Sequence, residues 1–225
     1  MQTNAPSSLI GPPAPPYGKP DPLQTRQVQE FKHGSPLLGC RFDPIGRFIF
    51  AGAQDNTIQR WDLETGQKAA LAGHKSWIRA LAFQGNTLFS GDYADRILWW
   101  QADAETPTPL RDINAHDGWV RALAVSPDGK TLASCGNDNL VKLWSIADGK
   151  LVRAFAGHAR HVYGVAFHPD GKQLVSCDLL GVVKHWEVET GKLARDLDAS
   201  ILHKYDPTFR ASIGGARSMT FNADG

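Results

Sequence analysis

The stretch that decides the fold is residues 116–144, which read HDGWVRALAVSPDGKTLASCGNDNLVKLW. It begins with a histidine and ends with a tryptophan 28 residues later. Short apolar runs stand on either side of the turn SPDGK at 126–130. A Pro-Asp-Gly segment between apolar runs is typical of a tight hairpin, because glycine accepts the positive φ that the turn requires. The stretch therefore predicts several short antiparallel strands.

The same pattern occurs four times along the chain. The histidines are spaced by 41, 42 and 42 residues, and the interval from histidine to tryptophan is 28 in three units and 26 in the second. The second unit is shorter because its turn is only QGN at 84–86, and its later connection, AETPTP at 104–109, is longer and Pro-rich. A fixed period of this length predicts a repeat architecture. The repeated residues are His33, His74, His116 and His158, and Trp61, Trp100, Trp144 and Trp186.

The strand that follows each histidine is apolar on both faces. Four residues after the histidine stand Leu37, Ile78, Val120 and Val162, and six residues after it stand Gly39, Ala80, Ala122 and Gly164. Near-continuous apolar character indicates a sheet covered on both faces. A recurring glycine or alanine indicates that another part of the chain packs closely there. Repeated sheets of this kind predict an all-β propeller of four-stranded antiparallel blades.

Composition disfavours several classes of protein. Lys and Arg number 24 against 23 Asp and Glu, so no global charge favours nucleic acid or an anionic membrane as a partner. No apolar stretch is long enough to span a bilayer, and the first residues do not resemble a secretory signal. Three cysteines without short spacings argue against a disulfide framework or a zinc site. These features predict a cytoplasmic protein without a metal or cofactor.

At this point the residues resemble a known family. GH at 73–74 and 157–158, WD at 61–62 and the period near 42 residues are similar to the WD-repeat (WD40-type) propellers. The resemblance covers residues 26–225, and residues 1–25 are expected to be a disordered Pro-rich tail, either a linker or a docking peptide for a Pro-binding domain. The expected repeats are 26–62, 63–101, 102–145, 146–187 and an incomplete 188–225. Since rings of this family usually have seven blades, we expect four blades and the start of a fifth from a longer propeller, with an assembly of partial rings as the alternative.

The resemblance also implies a buried His–Ser–Asp–Trp hydrogen-bond set in each blade, which we call the brace. The third unit has all four residues: His116, Ser134, Asp138 and Trp144. The other units each lack one member by the family pattern, with Ala51 at the serine position of the first and Ala94 and Leu180 at the aspartate position of the second and fourth. Their remaining brace residues are His33, Asp55 and Trp61, then His74, Ser90 and Trp100, then His158, Ser176 and Trp186. We therefore expect the third blade to be the best braced, and the other histidines to use backbone or water partners.

Catalysis and metal binding are weighed against this structural interpretation. His116, Ser134 and Asp138 are the residue types of a hydrolase triad, but the chain has no Gly-x-Ser-x-Gly elbow and the same positions recur as incomplete braces. The cluster considered for a metal is His158, His161 and His168, which has no carboxylate or cysteine at ligand spacing. We predict no catalytic residue and no metal site.

The resemblance also implies that the connections bearing the histidines and aspartates open on one face of the propeller, where partners of this family commonly bind. Side chains three and five residues after each histidine point to the same side of the strand. The residue before the aspartate position adds Tyr93 and Asn137, and alignment of 216–221 on Phe221 adds Arg217. These positions bring together tryptophan, tyrosine and arginine, which dominate binding hot spots and suit an acidic or phosphorylated peptide. The candidate partner-binding residues are Trp77, Arg79, Tyr93, Trp119, Arg121, Asn137, His161, Tyr163 and Arg217. In the alternative interpretation the tryptophans pack between blades and the arginines pair with carboxylates.

The extra segment at 199–215 is expected on this same face, where a long loop on a rigid scaffold is often functional. The function predicted from these features is a non-catalytic scaffold that binds a partner peptide or domain on the central face. The alternative is a regulatory or sensory propeller of a larger protein whose catalytic part lies elsewhere. Nucleic-acid binding through Arg79 and Arg121 is disfavoured by the near-neutral net charge.

Overall fold

The computed structural model of the protein describes residues 23, 26–208 and 211–222, without the side chains of 202, 203, 205, 206 and 211–213. The chain divides into two units, residues 1–32 and 33–225. Apart from Leu23, the predicted tail at 1–25 lies outside the described residues, and residues 26–32 have no regular secondary structure. No helical segment among the described residues is long and apolar enough to cross a membrane.

The second unit contains four antiparallel sheets, each of four strands in sequence order. We name them blades 1 to 4. Blade 1 consists of β1 (Leu37–Phe42), β2 (Phe48–Ala53), β3 (Thr57–Asp62) and β4 (Lys68–Ala72). Blade 2 consists of β5 (Ile78–Gln84), β6 (Thr87–Asp92), β7 (Arg96–Gln101) and β8 (Pro109–Asn114). Blade 3 consists of β9 (Val120–Val125), β10 (Thr131–Gly136), β11 (Leu140–Ser145) and β12 (Leu151–Ala156). Blade 4 consists of β13 (Val162–Phe167), β14 (Gln173–Asp178), β15 (Val182–Glu187) and β16 (Leu193–Asp198). The prediction of an all-β propeller of four-stranded blades is confirmed.

Apolar cores lie between successive blades. Phe50 and Ile58 of blade 1 pack with Leu88 and Trp100 of blade 2, and the tryptophan is fully buried. Equivalent cores join blades 2 and 3 and blades 3 and 4. Blades 2 and 3 are each covered on both sides, which explains the near-continuous apolar character of their first strands, β5 and β9.

The innermost strands β1, β5, β9 and β13 are adjacent, and the small residues of the repeat lie where they meet. A Cβ added to Gly39 would lie 2.5 Å from the carbonyl oxygen of Arg79, which is closer than any side chain tolerates. The recurring glycine or alanine therefore allows one inner strand to approach the next.

The segment after blade 4 forms structure of its own. A short 3-10 helix (Ser200–Leu202) leads into a two-stranded hairpin of β17 (His203–Asp206) and β18 (Ala211–Gly214). Backbone hydrogen bonds from Ala199 to Gly181 and from Ala216 to Asp178 place both ends of this segment beside the turn between β14 and β15. Ser218 and Met219, which follow the hairpin, lie against Gly164 of β13.

Candidate functional site

The brace of blade 3 is a continuous chain of hydrogen bonds. The indole N–H of Trp144 donates to the hydroxyl oxygen of Ser134 at 2.8 Å, and Nε2 of His116 lies 2.7 Å from the same oxygen. Nδ1 of His116 lies 2.7 Å from a carboxylate oxygen of Asp138. Every proton has an acceptor if Ser134 donates to Nε2 and the neutral histidine donates from Nδ1 to Asp138. Burial lowers the pKa of His116, which favours this neutral form.

Blades 2 and 4 contain complete braces, so the expectation of backbone or water partners for their histidines is wrong. Nδ1 of His74 lies 2.9 Å from Asp92, and Nδ1 of His158 lies 2.8 Å from Asp178. The serine and tryptophan bonds are also present, through Ser90 and Trp100 in blade 2 and through Ser176 and Trp186 in blade 4. Blade 3 is therefore not better braced than its neighbours.

The acid of the brace comes from one of two positions in the sequence. In blades 2 and 4 it stands two residues after the serine position, at the end of the second strand, and in blades 1 and 3 it stands four residues after, in the turn. Each blade has an aspartate at one of these positions only. Two residues after stand Ala53, Asp92, Gly136 and Asp178; four residues after stand Asp55, Ala94, Asp138 and Leu180. This alternation is visible in the sequence and could have predicted both missing acids.

Blade 1 has a weaker version of the brace. Nε2 of His33, rather than Nδ1, lies 2.6 Å from Asp55, and Nδ1 lies 3.0 Å from the ammonium group of Lys68. Ala51 occupies the serine position and is buried. The histidine ring is thus turned over relative to the other blades, with an acid and a lysine as its partners.

The serine-containing braces are not arranged for nucleophilic catalysis. Ser90, Ser134 and Ser176 are fully buried, and each hydroxyl is already bonded to a tryptophan and a histidine. A catalytic serine needs a hydroxyl that substrate can reach. Burial also raises the pKa of the Cys177 thiol to about 12, which disfavours the reactive thiolate. Among the described residues no group of three or more His, Cys, Asp or Glu side chains is placed to hold a metal.

Seven of the nine predicted binding residues are linked by contacts around an aromatic cluster at the mouth of a central channel, whereas Arg79 and Arg217 only line the channel. The rings of Tyr93 and Trp119 stack at 4.0 Å with an interplanar angle of 6°, and Trp77 lies 6.0 Å from Tyr93. The guanidinium carbon of Arg121 lies 4.2 Å from the ring centres of both Trp119 and Tyr163. Trp77 and Trp119 remain 43% and 38% exposed, so neither belongs to an inter-blade core.

Arg121 is held in this cluster by hydrogen bonds as well as by rings. Its Nε donates to the side-chain oxygen of Asn137 at 2.7 Å, and Nδ1 of His161 lies 2.7 Å from the backbone oxygen of Asn137. Only 8% of Arg121 is exposed, and burial lowers its pKa. Asn137 and His161 therefore support Arg121, in addition to lying near the surface themselves.

A shift of strand register aims these side chains into the channel. Each inner strand skips one residue in its pairing with the next strand, so that this residue has no cross-strand partner. Such a bulge redirects a side chain and is common beside functional sites. The skipped residues are Leu38, Arg79, Arg121 and Tyr163, and all four line the channel.

The channel is strongly basic. It encloses a cavity of about 250 Å³ lined by Arg41, Arg79, Arg121 and Arg217, and none of its lining residues is acidic. None of these arginines forms an ion pair with a carboxylate of the described residues. The alternative interpretation, in which the arginines pair with nearby carboxylates, is therefore not what the described part of the chain shows. Sequence reasoning missed Arg41, which stands eight residues after His33 where the other units have Ala82, Ala124 and Ala166.

Comparisons with known proteins agree with this architecture. A family model described as WD domain, G-beta repeat, matches residues 25–62, 107–145 and 149–187, which is just over half of the chain. The chain is 26% identical over 166 residues to Protein groucho of Drosophila melanogaster, a match that covers 69% of this chain and 23% of that protein. The chain thus spans about a quarter of the length of this relative. A chain in the crystal structure of the mitotic checkpoint complex has a similar fold, with a TM-score of 0.70 at 24% identity over 76% of this chain and 53% of that one.

Proposed function

Because this chain belongs to the WD40-repeat family, we propose that it is a non-catalytic interaction scaffold that binds a partner protein or peptide over the mouth of its central channel. The observation that carries the proposal is the ordered cluster of Tyr93, Trp119 and Arg121 beside the half-exposed Trp77. Tryptophan, tyrosine and arginine are enriched among the few residues that supply most of the binding energy at protein interfaces.

The rigidity of this cluster supports the proposal. Two stacked rings and a guanidinium fixed by Asn137 need little further ordering when a partner arrives. Surfaces that are already ordered lose less conformational entropy on binding. The inner strands that present the cluster are held by the braces and the inter-blade cores, so the surface stays in place.

The charge of the channel indicates the chemistry of the partner. Arg79, Arg121 and Arg217 come from three different parts of the chain and line one cavity without a neutralising carboxylate. An acidic or phosphorylated peptide would supply the missing negative charge. We propose such a peptide in preference to nucleic acid, because the net charge of the chain is only +1.

A double variant, Trp77→Ala with Arg79→Ala, tests the proposal in the full-length protein. Both side chains are partly exposed, whereas Arg121 is packed among rings and its removal would also disturb the fold. We expect the double variant to weaken partner binding by about 30-fold or more, as loss of a hot spot does. Partners are first identified by cross-linking to the parent protein. The affinity of each purified partner is then measured for the parent protein and for the double variant.

The matched control is Arg195→Ala, on the outermost strand of blade 4, which should leave both binding and melting temperature unchanged. Partners that bind the double variant as tightly as the parent would remove the central face as the site. An unchanged melting temperature in the double variant ensures that lost binding does not reflect unfolding.

A second candidate is that this propeller regulates a larger protein with a catalytic part elsewhere. The observation that favours it is that the match to the relative covers only 23% of that protein. Removing the propeller from the full-length protein would then change a catalytic rate, which a pure scaffold would not do.

We also propose a reducing, cytoplasmic setting, because Cys40, Cys135 and Cys177 are free thiols. Cell fractionation tests this proposal.

A further inference from the structure

We propose that the group bound at the mouth of the channel is a dianionic phosphate on a phosphorylated side chain of the partner, with Arg121 as its fixed anchor. The inference rests on the proposed function and narrows it, since a carboxylate would no longer be sufficient. It is carried by the number of converging arginines, by their lack of acidic partners and by the way Arg121 is held.

The number of charges favours phosphate over carboxylate. A carboxylate brings one negative charge, whereas a phosphomonoester brings about −1.5 to −2 at pH 7 and three strong acceptor oxygens. Arg79, Arg121 and Arg217 line the same cavity as Arg41, and none of the lining residues is acidic. One carboxylate would leave most of this positive charge unbalanced, so the cluster fits a multiply charged group that several guanidinium groups can share.

Four arginines that pack within or between blades elsewhere in the second unit show the contrast. Arg47 binds Asp62 and Arg96 binds Asp112, both as ion pairs. Arg111 and Arg153 instead donate to backbone carbonyls of the next blade. The channel arginines have neither a carboxylate of the described residues nor, for Arg79 and Arg217, a hydrogen bond to any of them. Their position is explained by a ligand better than by the fold.

Arg121 is placed as an anchor because its orientation is already fixed. Its Nε is committed to Asn137, and its guanidinium lies between the rings of Trp119 and Tyr163. A buried and oriented guanidinium attracts an anion more strongly than one in water, since less solvent screens the charge. Arg79, which is half-buried, and Arg217, which is exposed, complete the site from blade 2 and from the segment after the hairpin.

Three matched degenerate peptide libraries test the inference with the full-length protein. They differ only at a fixed central residue, which is phosphoserine, glutamate or serine, and binding is followed by fluorescence anisotropy of the labelled peptides. We expect the phosphoserine library to bind about tenfold more tightly than the glutamate library, and the serine library to bind more weakly still. Inorganic pyrophosphate should compete with the phosphoserine library.

Variants of single arginines test which of them bind the phosphate group. Arg79→Gln and Arg217→Gln should each weaken binding of the phosphoserine library about tenfold, and Arg121→Lys should do the same because lysine lacks the planar fork. Arg195→Gln, outside the channel, should change nothing. Thermal unfolding of each variant shows whether it is folded; if Arg121→Lys is not, the partly exposed Arg79 and Arg217 carry the test.

Equal binding of the glutamate and phosphoserine libraries would overturn the inference and leave an acidic-peptide scaffold standing. Binding of pyrophosphate without the phosphoserine library would overturn the peptide as the source of the phosphate. Absence of binding by all the probes would overturn the phosphate site itself. The proposed function itself would fail on a different result, namely partner binding that is unchanged in the double variant Trp77→Ala with Arg79→Ala.

Discussion

Blades 2 and 3 hold their histidines by the same bond, but the acid comes from different places. Asp92 lies at the end of β6, and its second carboxylate oxygen accepts from the backbone N–H groups of Ala94, Asp95 and Arg96. Asp138 lies in the turn after β10 and binds Lys142. The same position around the histidine can therefore be filled from two backbone sites, and what is retained is the hydrogen-bonded carboxylate and not its place in the sequence.

The largest effect should come from removing the more buried acid. Asp92 and His74 have fully buried side chains, so Asp92→Ala leaves a buried histidine N–H without its acceptor. We expect it to lower the free energy of unfolding by about 3 kcal/mol, because the histidine and three backbone N–H groups lose their acceptor. Asp138→Ala should lower it by only about 1–2 kcal/mol, because Asp138 is partly exposed and water can replace it.

Urea denaturation of the 225-residue chain measures both. Asp117→Ala, which removes an exposed carboxylate next to His116, is the control and should be close to neutral. Equal losses for Asp92 and Asp138 would show that burial does not separate the two blades.

The next effect concerns Gly136, which ends β10 of blade 3 at the position where blade 2 has Asp92. A Cβ at Gly136 would lie 2.8 Å from His116 and 2.8 Å from the carbonyl oxygen of Trp119. Gly136→Ala should therefore lower the free energy of unfolding by about 1–3 kcal/mol through overpacking. Gly34→Ala meets nothing within 4 Å and should have little effect. A neutral Gly136→Ala would mean that blade 3 can accept a side chain at the strand end as blade 2 does.

Moving the acid within blade 2 makes the comparison sharper. The double change Asp92→Gly with Ala94→Asp gives blade 2 the arrangement of blade 3. We expect it to recover about 1 kcal/mol or more of the stability lost in Asp92→Gly alone, because the turn aspartate can then accept from His74. Recovery of less than that, measured by the same urea titration, would mean that the two backbone sites are not interchangeable.

The sequence predicts the larger features of this protein, but the brace acids of blades 2 and 4, the place of Arg41 and the burial of Arg121 were not predicted. The spacing of histidine and tryptophan predicts the blades, because a repeated pattern must bury the same face each time. Asp92 and Asp178 are visible in the sequence, but each lies two residues before the position at which the family pattern has its aspartate. Arg41 was missed, and so was the burial of Arg121. The first requires knowledge of the register shift in β1, and the second depends on rings from three blades that are far apart in sequence.

Lowering the pH should have a smaller effect on the free energy of unfolding, through the brace histidines of blades 3 and 4. Burial lowers the pKa of His116 and of His158 below the ordinary value of 6.5. The unfolded chain therefore takes up protons that the folded chain resists, so their contribution to stability is complete above pH 6.5 and declines as the pH falls below it. Protonation would also end the bond in which Nε2 accepts from serine.

Urea denaturation between about pH 8 and 5 measures this decline. His158→Gln should make the decline shallower, since one of the two histidines no longer titrates. A free energy of unfolding that stays constant across this range, or rises as the pH falls, would contradict the neutral braces.

The smallest effect should follow from adding the missing hydroxyl to blade 1. His33 presents Nε2 to Asp55 and Nδ1 to Lys68, so a hydroxyl at position 51 gains the histidine as acceptor only if the ring turns over and gives up Lys68. Ala51→Ser alone should therefore change the free energy of unfolding by less than about 0.5 kcal/mol, because one hydrogen bond replaces another. In a Lys68→Met background the same change should stabilise the chain by about 1 kcal/mol, a difference that a double-mutant cycle isolates. A full gain in the presence of Lys68 would show that the reversed ring of blade 1 is not held by the lysine, and that the missing serine alone separates blade 1 from the other three.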